Sequence, residues 1–162
     1  MTPYATWLAG GLASEAAHLT RLSDDPTDLA RLITTTLQIA GVTPDEIDYV
    51  NYHGTATRQN DPLETKAVKL ALGAAASRLS GSSLKGAIGH LLGAAGSVEL
   101  AATLLALRDG IVPPTVNLEH ADSACDLDYT PNVAQPRRLQ TALKLSLGFG
   151  GHLACALVRR ES

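Results

Sequence analysis

The chain has 162 residues, 45% hydrophobic and 18% charged, with a formal net charge of −3. That length suits one domain with a real core. The charge balance excludes a basic nucleic-acid-binding face, and 4% aromatics excludes a base-stacking platform.

No apolar run approaches the ~18 residues of a membrane span. The start, Met1-Thr2-Pro3-Tyr4, lacks the basic-then-apolar pattern of a secretory leader. Cys125 and Cys155 form neither a disulfide framework nor a metal motif, so a reducing cytoplasm is the expected setting.

In chain order, Tyr4 to Leu8 reads as a short strand, and Gly10-Gly11 opens a loop that continues to Pro26. Thr27 to Ala40 carries Leu29, Leu32, Ile33, Leu37 and Ile39 at helical spacing, with Gly41 as its stop. Ile47 to Tyr52 reads as a buried strand. A helix then starts at Asp61, with Pro62 in its first turn and Glu64 three residues on as a capping-box partner, and it runs to Leu72.

Leu79 to Ser82 reads as another strand. The helix expected from His90 to Arg108 is apolar nearly all round: Leu91, Leu92, Val98, Leu100, Leu104, Leu105 and Leu107, with alanines between. Such a helix is buried on most faces. Ile111 to Arg138 is irregular, and strands Ala142 to Leu147 and Leu153 to Arg159 close the chain around Gly148-Phe149-Gly150-Gly151. Strands alternating with helices imply an α/β layered fold with an antiparallel edge. A domain this small can cover one sheet but hardly a helix on every side, so the apolar helix is expected to pack against another domain or chain.

Two segments carry the chemistry. Ser82-Ser83-Leu84-Lys85-Gly86-Ala87-Ile88-Gly89-His90 places a lysine and a histidine five positions apart among glycines, and His53 closes a separate strand in His53-Gly54-Thr55-Ala56-Thr57. Ionisable groups are costly to bury without partners, and small residues allow close approach. Each feature also has a plain structural reading: His53 in a turn, Lys85 facing solvent, Glu64 as a cap, Thr55 and Thr57 stabilising a turn.

Taken together, the ordered series narrows the choice. His53-Gly54-Thr55-Ala56-Thr57, Asn60-Asp61 with Glu64, Ser83-Leu84-Lys85, Gly89-His90, Gly93-Ala94-Ala95-Gly96, Pro113-Pro114-Thr115 with Asn117-Leu118, Cys125-Asp126-Leu127-Asp128-Tyr129 and Gly148-Phe149-Gly150-Gly151 resemble the C-terminal half of a β-ketoacyl-acyl-carrier-protein synthase, a condensing enzyme of the thiolase-like superfamily. The resemblance covers essentially the whole chain, so residues 1–162 are expected to form one such domain, without the N-terminal half that carries the family's nucleophilic cysteine. It implies an α/β fold: half of a thiolase-like architecture, a mixed five-stranded sheet with helices, whose apolar helix faces the other half. Gln59-Asn60-Asp61 with Glu64-Thr65 leans toward polyketide-type relatives.

The implied function is a 3-oxoacyl-acyl-carrier-protein synthase, an acyltransferase that joins acyl and malonyl thioesters by decarboxylative Claisen condensation in fatty acid or polyketide synthesis. By that resemblance the catalytic residues are His53, His90 and Lys85, supported by Glu64 and Glu99. Leu147, Gly148 and Phe149 form the oxyanion and gating loop, with leucine replacing the usual phenylalanine at 147. Thr55 and Thr57 bind the phosphopantetheine arm. His90 is placed at a helix start, whose dipole disfavours an imidazolium. No metal and no cofactor beyond carrier-borne phosphopantetheine is implied. The implied partners are the N-terminal half or a partner ketosynthase chain and acyl carrier protein, with no nucleic acid and no membrane, and an oligomer is expected. The alternative is a non-catalytic subunit, a chain-length factor or scaffold.

Overall fold

The computed structural model describes residues 3–161. Met1 and Thr2, the first residues of the stretch read for a leader, and Ser162, the last residue of the single-domain span, lie outside the described residues.

A five-stranded mixed sheet runs from edge to edge in the order β1 (Ala5–Ser14), β7 (His152–Arg160), β6 (Thr141–Gly148), β2 (Tyr49–Asn51), β3 (Ser80–Ser82). β1 pairs antiparallel with β7, and β7 antiparallel with β6. β2 lies parallel to both β6 and β3. The sequence of β6, Thr-Ala-Leu-Lys-Leu-Ser-Leu-Gly, is buried along most of its length. Continuous burial of that kind marks a central strand covered on both faces.

The two faces are covered by different helices. α1 (Thr27–Ala40) and α2 (Asn60–Leu72) build the larger core, where Leu29, Ile33, Leu37 and Val68 meet Leu143, Leu145 and Leu157. Each fully buried aliphatic side chain there contributes about 1.5–3 kcal/mol. α4 (Ala95–Asp109) lies on the opposite face, where Ala106 and Leu107 pack with Tyr49, Ala142 and Val158. A short α3 (Lys85–Ile88) follows β3, and the small ribbon β4 (Ile111–Val112) with β5 (Gln135–Pro136) sits outside the main sheet.

Several boundaries differ from the sequence reading, each for a local reason. β1 runs through Gly10 and Gly11 instead of ending at Leu8. These glycines allow close approach and make no turn: a Cβ on Gly10 would lie 2.4 Å from the Trp7 ring, and one on Gly11 would lie 2.6 Å from Leu32 of α1. α2 starts at Asn60, and Asp61 is not its cap. The Thr57 hydroxyl accepts the Asn60 N–H at 3.2 Å, while the Glu64 carboxylate reaches across to another loop.

α4 begins at Ala95, not His90. Gly89 (φ 74°) and Leu92 (φ 51°) both lie in the left-handed region, so the segment breaks into α3 and a 3₁₀ turn at Leu92–Ala94 before α4 starts. β2 and β3 are shorter than the strands read at Ile47 to Tyr52 and Leu79 to Ser82.

The apolar helix is half covered. Ala95, Glu99, Thr103, Ala106 and Leu107 are buried, whereas Val98 and Leu105 are each 41% exposed and the preceding Leu92 is 78% exposed. Beside it, the α4-side face of β1 and β7 is open. Trp7, Leu12, Leu100, Gly96, Lys144 and Ser146 line a cleft of about 550 Å³ there.

Candidate active site

The site grows from the C-terminal end of β2. Parallel pairing on both sides buries Asn51 and Tyr52 and delivers His53 to the edge of the sheet. The turn that follows is held by Glu64 of α2. The His53 N–H donates to Oε1 and the Gly54 N–H to Oε2, both at 2.7 Å, and Asn60 Nδ2 also donates to Oε2 at 2.7 Å. Gly54 is required here. Its φ is 46°, and a Cβ would lie 2.5 Å from Ser83, whose hydroxyl donates to the Gly54 carbonyl at 2.6 Å. Glu64 is therefore a loop anchor, in place of the capping-box residue expected from its spacing.

Lys85 opens α3 and turns inward. Its ammonium donates to the His53 carbonyl at 2.5 Å and to Glu99 Oε1 at 2.5 Å, with its side chain 7% exposed. Glu99 stands on the buried face of α4, which is fixed to β2 by Asn51: Nδ2 donates to the Glu99 carbonyl at 3.1 Å and to Thr103 Oγ1 at 3.0 Å. The other Glu99 oxygen is met by Lys144 of β6, 2.7 Å away. The Lys144 ammonium donates to the Leu145 carbonyl and, at 3.1 Å, to Ser146 Oγ.

Lys144 is absent from the residues that the sequence motifs single out. One signal for it is present: a single lysine on the α4-facing side of an otherwise uncharged central strand.

His53 and His90 meet although 37 positions separate them in the chain (90 minus 53). Their ring centroids are 5.5 Å apart and the rings are nearly perpendicular, at 81°. His90 lies in the exposed loop between α3 and α4, five residues before the helix it was expected to start. Its Nδ1 accepts the Leu92 N–H at 3.0 Å, which leaves the proton of the neutral ring on Nε2.

His53 is buried, and its Nδ1 has no hydrogen-bond partner among the described residues. A proton there would be a buried unpaired donor, so the neutral ring keeps its proton on Nε2 as well. Burial first, then the charges of Lys85 and Lys144 and the neighbouring His90, push the His53 pKa down to about 3. Burial pushes Glu64 the other way, up to about 7, against the hydrogen bonds of Gly54, His53 and Asn60. Two imidazoles that can present Nε2–H groups beside a buried ammonium form an arrangement suited to hydrogen-bonding an oxygen that gains negative charge.

The remaining expected residues lie around this centre. The Thr55 and Thr57 hydroxyls are 3.1 Å apart at the outer side of the His53 turn, and Thr57 also holds the first turn of α2. Leu147 and Gly148 end β6, and only Phe149 lies in the turn, 77% exposed. The Leu147 side chain is buried with the α1–α2 core. Cys155 is buried, which pushes its thiol up to about 12, and the half-buried Cys125 thiol is raised for the same reason. Neither thiol is poised as a nucleophile. Among the described residues, no three His, Cys, Asp or Glu side chains gather to hold a metal.

The profile of the beta-ketoacyl synthase C-terminal domain matches residues 4–119. The chain is 48% identical over 147 residues to the tetracenomycin polyketide synthase ketoacyl synthase alpha subunit of Streptomyces glaucescens, covering 91% of this chain and 34% of that protein. It is 42% identical over 150 residues to 3-oxoacyl-acyl-carrier-protein synthase 2 of Coxiella burnetii, covering 93% of this chain and 36% of that protein. It thus spans about a third of the length of these relatives.

Among solved structures, a ketosynthase bound to its type II polyketide acyl-carrier protein superposes with a TM-score of 0.95 at 37% identity, covering 98% of this chain and 39% of that one. The ishigamide ketosynthase/chain length factor gives 0.91 at 33% identity, covering 98% and 38%. The mixed sheet, the helices on its two faces and the matched sequence place this chain in the beta-ketoacyl synthase family, as a C-terminal domain of the thiolase-like fold.

Proposed function

We propose that this chain supplies the enolate-stabilising half of a 3-oxoacyl-acyl-carrier-protein synthase. The observation that carries the reading is the convergence of His53 and His90, 5.5 Å apart, above a Lys85 ammonium bonded to the His53 carbonyl. A malonyl thioester borne on the phosphopantetheine of acyl carrier protein places its carbonyl oxygen against the two Nε2–H groups. The bond to the carboxylate carbon breaks, its electron pair enters the enolate, and carbon dioxide leaves. The two N–H donors meet the oxygen as its charge grows, which lowers the barrier. The enolate carbon then attacks an acyl thioester on the cysteine of the family's N-terminal half, and the tetrahedral intermediate expels the thiolate.

Neutral imidazoles suit this step. A donor must keep its proton, and the buried cations oppose a second charge on His53. Lys85, clamped between Glu99 and the His53 carbonyl, is a positioning residue that fixes the loop. Thr55 and Thr57 lie where the phosphopantetheine arm would pass, and the Leu147 N–H is one donor of the acyl-thioester oxyanion hole.

Combining the chain with a cysteine-bearing N-terminal half and following decarboxylation of malonyl carrier protein tests this reading. His53→Ala and His90→Ala are each expected to lower kcat by about 10²–10³-fold, and the chain without that half is expected to show no condensation. Full decarboxylation by both variants would overturn the catalytic reading and assign a chain-length-factor-like, non-catalytic role.

A further inference from the structure

We infer that Lys144 is a second positioning residue of this site: it pairs with the Glu99 oxygen that Lys85 leaves free and sets two ammonium groups on one carboxylate behind the two imidazoles. The inference rests on reading His53 and His90 as donors to a developing oxyanion.

The geometry begins with one row across all five strands. Gly10, Ala156, Lys144, Asn51 and Ser82 are successive cross-strand neighbours. Every other member is small or uncharged, and nothing in the pairing calls for an ammonium at the centre of the sheet. Lys144 is 3% exposed, and a buried cation without strong compensation is heavily penalised. Compensation comes from the ion pair with Glu99 Oε2 and from hydrogen bonds to the Ser146 hydroxyl and the Leu145 carbonyl. Yet Lys85 already neutralises Glu99, so Lys144 adds a second positive charge to that pair.

What Lys144 adds is geometric and electrostatic. A cation lies on each Glu99 oxygen, and Lys85 also donates to the His53 carbonyl, so the pair of lysines brackets the carboxylate beside the His53 turn. The charged and titratable groups facing His53 are Lys85 from α3, Lys144 from β6, His90 from the loop before α4, Glu99 from α4 and Glu64 from α2. Glu99 is shared by both lysines, and Glu64 is bound to the backbone N–H groups of the turn. The Lys85–Glu99–Lys144 group is net positive and acts on His53 and on any anion formed beside it. It favours a neutral imidazole and an enolate together.

Two measurements on Lys144→Met and Lys144→Arg test this. The first follows the ring nitrogens of ¹⁵N-histidine by NMR in this chain across acid pH. Lys144→Met is expected to raise the His53 midpoint by about one unit, and Lys144→Arg to leave it unmoved. The second follows malonyl decarboxylation by the chain assembled with a cysteine-bearing half. Lys144→Met is expected to lower kcat about tenfold with KM within about twofold, and Lys144→Arg to recover most of the rate.

A lysine that merely fills the sheet would change stability without moving the His53 titration. A Lys144→Met titration that superposes on the parent's therefore overturns the inference. If Lys144→Met does not fold, Lys144→Gln keeps a polar head beside Ser146, loses only the charge and is judged by the same criterion. An assembly that decarboxylates nothing overturns the catalytic reading of the site, while the NMR midpoint still decides the role of Lys144.

Discussion

His53 and Glu64 touch through the backbone, and their titrations oppose each other. Folding lowers the His53 value from 6.5 to about 3, so the unfolded chain binds the extra proton between those limits and stability falls as pH drops through them. Folding raises the Glu64 value from 4.5 to about 7, so there the folded chain binds the extra proton and stability falls as pH rises. Between about 4.5 and 6.5 the two slopes cancel. His53→Asn removes one of them and keeps the backbone N–H that Glu64 accepts. Urea midpoints of the variant are expected to fall as pH rises from about 4.5 to 7, by up to ~1.4 kcal/mol per unit, where the parent stays nearly flat to about 6.5. A variant profile as flat as the parent's would contradict these opposed shifts. Such shifts arise from three-dimensional burial, which a linear sequence records poorly. The order of His53, Lys85, His90 and Glu99 is legible because each sits in a short motif with its own glycine or small-residue context. Lys144 sits in no such motif, and Glu64 satisfies a local capping rule that masks its longer-range partners.

The elements that position these residues depend on close backbone approaches. α3 carries Lys85 inward because Gly86 lies against the next segment: a Cβ there would be 2.4 Å from the Val116 carbonyl oxygen. That atom belongs to the backbone and cannot rotate away. Gly86→Ala is therefore expected to destabilise the chain by about 1–3 kcal/mol, despite alanine's better helix propensity, and to displace Lys85 from Glu99. A urea midpoint at or above the parent's, with the His53 ring resonances unmoved, would show that α3 tolerates the methyl group. The same physics separates what can be read along the chain from what cannot. α1 is legible from Thr27 to Ala40 because its buried apolar positions, Leu29, Leu32, Ile33 and Leu37 among them, repeat at helical spacing and Gly41 closes it in the left-handed region. β1 reads too short because Gly10 and Gly11 look like a turn in sequence, whereas in the sheet they admit Trp7 and Leu32. The start of α4 reads too early because Leu92 adopts a positive φ that no leucine advertises.

At the scale of the molecule, the nearly uniform apolarity of α4 is the sequence feature with the widest reach. One face is buried on the sheet, and the other, with Val98, Leu105 and the preceding Leu92, adjoins the open side of β1 with Trp7 and Leu12. Single exposed leucines need no explanation, but several exposed apolar side chains on α4 and β1 beside the proposed site do. A cysteine-bearing half seated there would bury the outer face of α4 and bring its nucleophile toward His53 and His90. Val98→Glu with Leu105→Glu tests this arrangement with little effect on the chain itself. Both side chains are 41% exposed, so the urea midpoint is expected to stay within about 1 kcal/mol of the parent's. In the assembled interface the same carboxylates would be buried without partners, at a cost of several kcal/mol. Association with the N-terminal half is thus expected to weaken by at least about 100-fold, with decarboxylation lost in proportion to the unassembled fraction. Undiminished association, measured by sedimentation at matched concentrations, would place the interface elsewhere and leave the apolar face of α4 without its proposed cover.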